Sequence, residues 1–431
     1  MESPLIEKKW KKGMHSLDIV YPNLYSGGIY CLAPTIVYNI VQNIDNWICN
    51  RVFLDKGEIK SKLIGFTLQY EPDYYNVLKI LKKNNISLSK NREEILFAGG
   101  PCVNANHKTM EDYFDFFFLG EAEETLLKVL DEYEKNQDKK TFLKKISNII
   151  GVYVPGISKN ITKAVIGDLD KIPYPFYQPM PNEGKLLFGK VFILEIERGC
   201  PFKCHFCALP NFHPKQNHRS LEKIKEIIDS GLKINKRNKV IIYSPSFSHP
   251  KRKEILKYLL EKKVEFSVPS IKVELVDEEL LKLISKGGQR TLTVAPECNE
   301  KLRGSIGKPM KDELFFNFAK MTNKQPFKTI KLYFMIGLPN QEEKDLKEMV
   351  EFIKEMKKIS RHKVYASINP FIPKPGTKLA DTKFDKIKVK KHAAYLKKEL
   401  GKLGIRLKLA SLSNYHKQWL LGKADKLPIT R

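Results

Sequence analysis

A chain of 431 residues, 42% hydrophobic and 29% charged, is long enough for two or three cored domains, which excludes a disordered or fibrous protein. No run of about 18 apolar residues occurs and the start, Met1 to Lys12, is charged, so neither a membrane span nor a secretory leader is expected and the protein reads as cytoplasmic. The formal charge of +27 invites a nucleic-acid partner held through phosphates, but 11 of the 76 basic residues are arginine and the other 65 are lysines spread along the whole chain. That pattern describes a solvated, lysine-rich surface equally well, and RNA stays open as partner or substrate.

Within residues 1–140 short strands alternate with helices. Ser16–Tyr21 leads through Tyr25-Ser26-Gly27-Gly28 into a periodic helix from Pro34 to Ile44. Arg51–Leu54, Leu63–Leu68 and Ile95–Gly100 are further strands, with a helix over Tyr74–Lys83, and Phe114–Phe118 leads into a helix ending near Tyr133. The alternation predicts a doubly wound parallel sheet, a Rossmann-like domain of the flavodoxin type. Ligands of such a sheet sit at the strand carboxyl ends, here Gln69-Tyr70-Glu71, Gly99 to Asn104 and Leu119-Gly120-Glu121. Residues 141–190 carry Pro155, Pro173, Pro175, Pro179 and Pro181 with Gly151, Gly156 and Gly184, and read as a linker.

Over 191–375 six strand-then-helix units follow, with strands at Val191–Ile196, Lys239–Ser244, Glu265–Val268, Thr291–Ala295, Thr329–Met335 and Lys363–Ile368. Residues 376–431 hold 13 lysines and two arginines against four acids, a balance of +11. They read as a basic α/β extension, a helix over Lys386–Leu400 and then a strand over Ile405–Leu409. A basic face there suits RNA, and a sheet-closing element with a solvated outer side suits the same residues.

Directly after the first strand of the six lies Glu197-Arg198-Gly199-Cys200-Pro201-Phe202-Lys203-Cys204-His205-Phe206-Cys207. Its cysteines have metal-ligand spacing. Three thiolates from one loop can hold three irons of a [4Fe-4S] cluster and leave the fourth iron open; a structural zinc with His205 or His213 as fourth ligand is the alternative. The stretch resembles the CxxxCxφC signature of the radical S-adenosylmethionine (SAM) superfamily, with Phe206 in the aromatic slot. The units after it resemble that family's partial (β/α)6 barrel, a context that sets zinc aside. The resemblance runs over residues 15 to 375. It implies a [4Fe-4S] cluster on Cys200, Cys204 and Cys207, SAM on the open iron, an external electron donor, and cleavage of SAM to a 5′-deoxyadenosyl radical.

Further SAM contacts are implied one strand end at a time. After the second strand the family's GGE-like turn is replaced by Tyr243-Ser244-Pro245-Ser246, where Ser244 and Ser246 stand in for it or simply cap the turn. After the fourth, Glu297 is matched to the ribose hydroxyls and Arg303 to the SAM carboxylate, unless the two pair with each other. Gly337 after the fifth strand, and Phe371 and Ile372 after the sixth, are matched to the adenine. Cys298 reads as a small buried filler, with a covalent methyl carrier as the alternative.

The first domain resembles the cobalamin-binding-type domain found ahead of many such barrels, although the DxHxxG histidine is absent, and cobalamin stays open. With cobalamin the product is methylation of an unidentified substrate. A second cluster in the first domain would instead make the chain a methylthiotransferase that inserts sulfur into RNA or protein, but Cys49 and Cys102 are expected on opposite edges of the sheet. A non-enzymatic RNA-binding protein with a structural metal is the reading from another class.

Overall fold

The computed structural model describes residues 2–136, 138–184 and 186–428. They form two compact units, one of residues 1–193, 208–237 and 420–431, the other of residues 194–207 and 238–419. The sheet of the first unit contains β1 (His15–Tyr21), β2 (Trp47–Phe53), β3 (Leu63–Thr67), β4 (Ile95–Gly99), β5 (Phe116–Phe118) and β6 (Val152–Tyr153), in the order β2-β1-β3-β4-β5-β6. The first five run parallel, with Val20 level with Val52 on one side and Phe66 on the other. This is the flavodoxin order, whose switch point lies between β1 and β3.

Alternation along the strands explains the two cores. Leu17, Ile19, Trp47 and Phe97 pack on one face with Val41 of α1 (Leu32–Gln42) and Val129 of α3 (Glu123–Lys135). Val20, Phe66, Leu96 and Phe117 pack on the other with Val77 and Leu81 of α2 (Tyr74–Lys83).

The stretch expected as linker begins with ordered elements. Phe142 and Ile146 of α4 (Lys139–Ile146) enter the first core, and β6 adds an antiparallel edge strand. The Pro and Gly residues that dominate the composition lie mostly after Tyr153, so they masked a short amphipathic helix before it. Two distant segments also join this unit. They are residues 208–237, with α5 (Leu221–Asn235) capped by Ser220, and the chain end, where Leu421 and Leu427 enter the α2 core. Residues 429–431 of the expected basic extension lie outside the described residues.

The second unit begins inside β7 (Phe192–Glu195). With β8 (Lys239–Tyr243) and β9 (Glu265–Ser267) this strand forms one sheet, β9-β8-β7; β10 (Thr291–Glu297), β11 (Thr329–Ile336), β12 (Lys363–Pro370) and β13 (Arg406–Leu409) form another in chain order. Every ladder of the four-stranded sheet is parallel. The connecting helices are α6 (Arg252–Glu261), α7 (Glu278–Lys286), α8 (Asp312–Thr322), α9 (Glu343–Ile359) and α10 (Lys386–Lys402). Side chains set several of their starts: Asp277 accepts from the Leu280 amide, Asp385 from the Lys388 amide, and Glu342 and Asp345 form a capping box. The basic extension thus supplies a further parallel strand to this sheet. Among the described residues no helix is long and apolar enough to cross a membrane.

At the switch point of the first unit, Asp73 accepts from Asn23 Nδ2 at 2.8 Å and Asn76 Nδ2 at 3.3 Å. Burial raises its pKa to about 6 against those two hydrogen bonds. A carboxyl whose folded pKa is raised contributes stability below its unfolded pKa and loses it as pH rises through 6. Asp73→Asn keeps the accepting oxygen and removes the charge. Its stability relative to the parent, measured by urea unfolding, should therefore grow between pH 4 and pH 7; a difference that does not change with pH would contradict the buried-charge account.

A candidate cluster site at the strand ends

The cysteines and the residues matched to SAM in the sequence lie in the second unit, at or just beyond the carboxyl ends of its strands. Glu195 at the end of β7 and Arg198 in the loop after it form a buried two-pronged pair, Nε to Oε1 at 2.8 Å and Nη2 to Oε2 at 3.1 Å. The next acid, Glu197, is 0% exposed. Its Oε1 accepts from the Ser244 hydroxyl and from the Ser248 amide at 3.0 Å. The turn after β8 is therefore tied to the cysteine loop. Ser244 also accepts from the Phe247 amide at 2.6 Å, in a residue held at φ +48°, and the Ser246 and Ser248 hydroxyls are 2.7 Å apart. These hydroxyls hold the turn together, the capping role named as an alternative for them.

Cys200, Cys204, Cys207 and Phe206 are half-buried on the loop itself. Its middle is pinned from the β10 side: the His205 amide donates to Ile306 O at 2.9 Å, and Nδ1 lies 3.2 Å from Ser305 O. A Cβ on Gly307, which sits at φ +75°, would stand 2.6 Å from the His205 ring, so only glycine allows this approach. Lys272 Nζ lies 4.3 Å from the centre of the Phe202 ring. Burial raises the Cys204 thiol, while Lys272 and Lys308 pull it down. Among the described residues no three Cys, His, Asp or Glu side chains are grouped for a single metal ion. A four-iron cluster instead places each thiolate on its own iron, and three thiols on one loop beside two lysines are a donor set of that kind.

At the end of β10 the ladder slips between Val294 and Glu297. Glu297 adopts φ +69°, a left-handed conformation that a non-glycine residue holds only when its surroundings insist. Lys308 holds it, donating to Glu297 Oε1 at 2.9 Å and to Ala295 O at 2.6 Å while 5% exposed. Nothing local in the sequence marks Lys308 or Lys272 as neighbours of the cysteines.

Arg303, matched in the sequence to the SAM carboxylate, is 0% exposed. It donates to Pro296 O, Met310 O, Cys298 O and Asp312 Oδ1 at 2.6–2.8 Å, and its guanidinium lies 4.9 Å from the Phe315 ring centre. The sequence alternative of a Glu297–Arg303 pair is also not what forms, since Glu297 takes Lys308. Cys298 beside them is buried and its thiol is pushed up to about 12 by that burial, which fits the filler reading. Gly337, at φ +80°, donates to Gln341 Oε1 at 2.7 Å, and a Cβ there would meet Val389 of α10 at 2.5 Å. Phe371 is buried with its amide on Ile336 O at 2.8 Å, and Ile372 is half-buried.

At the first unit's strand ends, the β4 and β5 side is covered by the chain's own segments. Gly120 bridges Ala164, Glu121 accepts from the Ile166 amide at 2.6 Å and faces His213 at 3.2 Å, and Asn106 donates to Ala424 O at 2.9 Å. The β1–β3 switch point is open by comparison. Leu24 is 51% exposed there, Ser26 and Gly27 are exposed, and Gln69 and Tyr70 are half-exposed.

The saturation of Arg303 predicts a stability phenotype. Arg303→Lys, which cannot reach four acceptors at once, should destabilise the second unit in the absence of SAM by about 3 kcal/mol, read from urea unfolding. Unchanged stability would return Arg303 to the ligand role.

Comparison with known proteins gives two family models on this chain, radical SAM proteins, N-terminal, over residues 58–155 and the radical SAM superfamily over residues 194–353. An uncharacterized protein of Methanocaldococcus jannaschii is 34% identical over 424 residues, 96% of this chain and 90% of the relative. An uncharacterized methyltransferase of Pyrococcus horikoshii is 24% identical over 79% of this chain and 74% of its own length. Among solved structures the radical S-adenosylmethionine methyltransferase TsrM of Kitasatospora setae, with cobalamin and a [4Fe-4S] cluster bound, superposes with a TM-score of 0.64 at 12% identity, over 85% of this chain and 74% of that one. The cysteine spacing, the order of the strands and the two family models, which together span 58–155 and 194–353, lead to one conclusion: this chain belongs to the radical SAM superfamily.

Proposed function

We propose that the chain is a radical SAM enzyme that methylates its substrate with the help of a corrinoid. The observation that carries this is the position of the cysteine loop at the carboxyl end of β7, tied through Glu197 to the turn after β8 and through His205 to the loop after β10. When bound, the cluster and SAM supply a 5′-deoxyadenosyl radical, and a corrinoid supplies a transferable methyl group.

This chain's residues hold and shield. Cys200, Cys204 and Cys207 would each take one iron. Glu297, fixed by Lys308, would meet the ribose hydroxyls, and the strand ends at Gly337, Phe371 and Ile372 would border the adenine. The carboxylate contact passes from Arg303 to Lys272 or Lys308, the cations that act on Cys204. In the first unit the flavodoxin strand order and the open switch point at Leu24, Gly27 and Tyr70 suit a flat ligand. The fold likeness to TsrM extends over enough of the chain to include this domain as well as the barrel strands.

Sulfur insertion is the weaker reading, although ribosomal protein methylthiotransferases match a part of the chain, 38% in the case of the Petrotoga mobilis enzyme. It requires a second cluster. Cys49 lies in β2 and Cys102 follows β4, three strand spacings or about 14 Å apart across the sheet. Burial also raises the thiols of Cys49 and Cys31, the latter to about 11.

Anaerobically purified protein should contain about four irons per chain and cleave SAM to 5′-deoxyadenosine under a strong reductant, with cobalt at stoichiometry once a corrinoid is supplied. Alanine at Cys200, Cys204 or Cys207 should abolish both iron retention and cleavage. Cleavage retained in any of the three, or zinc in place of iron, would refute the assignment; iron and cleavage without cobalt uptake would refute the corrinoid alone.

A further inference from the structure

Parallel sheets are almost always covered on both faces, and one face of the four-stranded sheet of the second unit is only half-buried. Leu292, Val294, Ile330, Leu332, Val364 and Ala366 are buried on one face. On the other, β11 alternates half-buried Thr329, Lys331, Tyr333 and Met335 with buried neighbours. Strand register extends this face across the sheet, since Thr293, Lys331, Tyr365 and Arg406 stand level in one row and Tyr333, the buried Ser367 and Lys408 in the next. The last row, Met335 and Asn369, leads up to the strand ends that carry Gly337 and Phe371, and there Asn369 Oδ1 accepts from the Tyr415 hydroxyl at 3.1 Å.

The charges on this face have one sign. Lys331, Lys363, Arg406 and Lys408 belong to it; no Asp or Glu does until Glu297, which Lys308 neutralises. Two tyrosines lie among the cations. Lys331 Nζ donates to the Tyr333 hydroxyl at 3.1 Å and lies 4.7 Å from the Tyr333 ring centre and 5.6 Å from that of Tyr365. The Arg406 guanidinium is 5.5 Å from the Tyr365 ring. Lysine and arginine held against aromatic rings on a surface without acids match a ligand that has both an anionic group and a flat face. This is the combination by which single-stranded nucleic acids are held, phosphate on the cations and base on the rings. An acidic peptide would use the cations and leave the rings without a partner.

We propose that this open face binds the substrate, and that the substrate is a nucleotide unit, with its phosphate at Lys331 and Arg406 and its base against Tyr333 and Tyr365. The proposal rests on the reading of the adjoining strand ends as the site of radical generation. A free nucleotide and a residue of single-stranded RNA share this chemistry, and the experiment separates them.

Binding of AMP, followed by calorimetry, and of a short fluorescein-labelled oligouridylate, followed by anisotropy, would be measured on the anaerobic full-length protein, with iron content and SAM cleavage recorded on the same preparation. Binding of the oligomer but not AMP assigns RNA; binding of AMP alone assigns a free nucleotide. In either case Lys331→Ala and Tyr365→Ala should weaken binding by about tenfold or more, and the exposed Arg406→Gln should lower the salt slope for the oligomer by about 0.7. Arg406→Gln guards against a folding defect, since it removes no buried contact, and iron content should be unchanged in all three variants. The proposal is overturned if neither probe binds, if the variants bind like the parent, or if an acidic peptide competes as well as the nucleotide. In the parent protein, absence of binding with SAM cleavage intact would overturn this inference alone, and absence of the cluster with binding intact would overturn the radical reading alone.

Discussion

A carboxylate withdrawn from water has to be met by donors, and Glu197 is met by the Ser244 hydroxyl and the Ser248 amide. The rest of the site depends on this contact. It fixes where the chain turns out of β7 into the cysteine loop and binds that turn to the next strand's loop. Breaking a buried, fully bonded charge of this kind is costly because the stranded donors cannot return to water. The loop thus presents its three half-buried thiols from a fixed turn.

A second layer of compensation surrounds it. Glu297 is held in a left-handed conformation at a bulge by Lys308, and Lys308 also acts on Cys204. Arg303 gathers three carbonyls and the Asp312 carboxylate beneath the same loop. Two buried basic residues five positions apart therefore divide the work, one clamping the backbone and one bonded to Glu297 within electrostatic reach of Cys204. The strain at Glu297 is of the sort found where a side chain is aimed at a ligand.

What the sequence disclosed follows the range of the interactions. The cysteine loop was legible because its spacing is local, and the parallel sheets were legible because strand and helix alternate. The flavodoxin strand order agrees with the expectation drawn from that alternation. Arg303 stands out in the sequence as a ligand candidate because nothing in its residue type separates a ligand from a clamp; the four acceptors it meets come from the turns on either side of it. Lys272 and Lys308 were missed because they approach Cys204 across sequence separations that no spacing rule spans. The helix Lys139–Ile146 was hidden by the prolines that follow it. The alternation over 329–335 was visible as a strand, but which face stayed open required the register of its neighbours.

With three cysteines for four irons, one iron of the cluster would lack a protein ligand and receive SAM. Electron paramagnetic resonance of the dithionite-reduced protein, recorded with and without SAM, tests it most directly. A reduced [4Fe-4S] signal that changes shape on addition of SAM is the predicted result. A signal indifferent to SAM, or no iron signal from a protein that carries zinc, would contradict it.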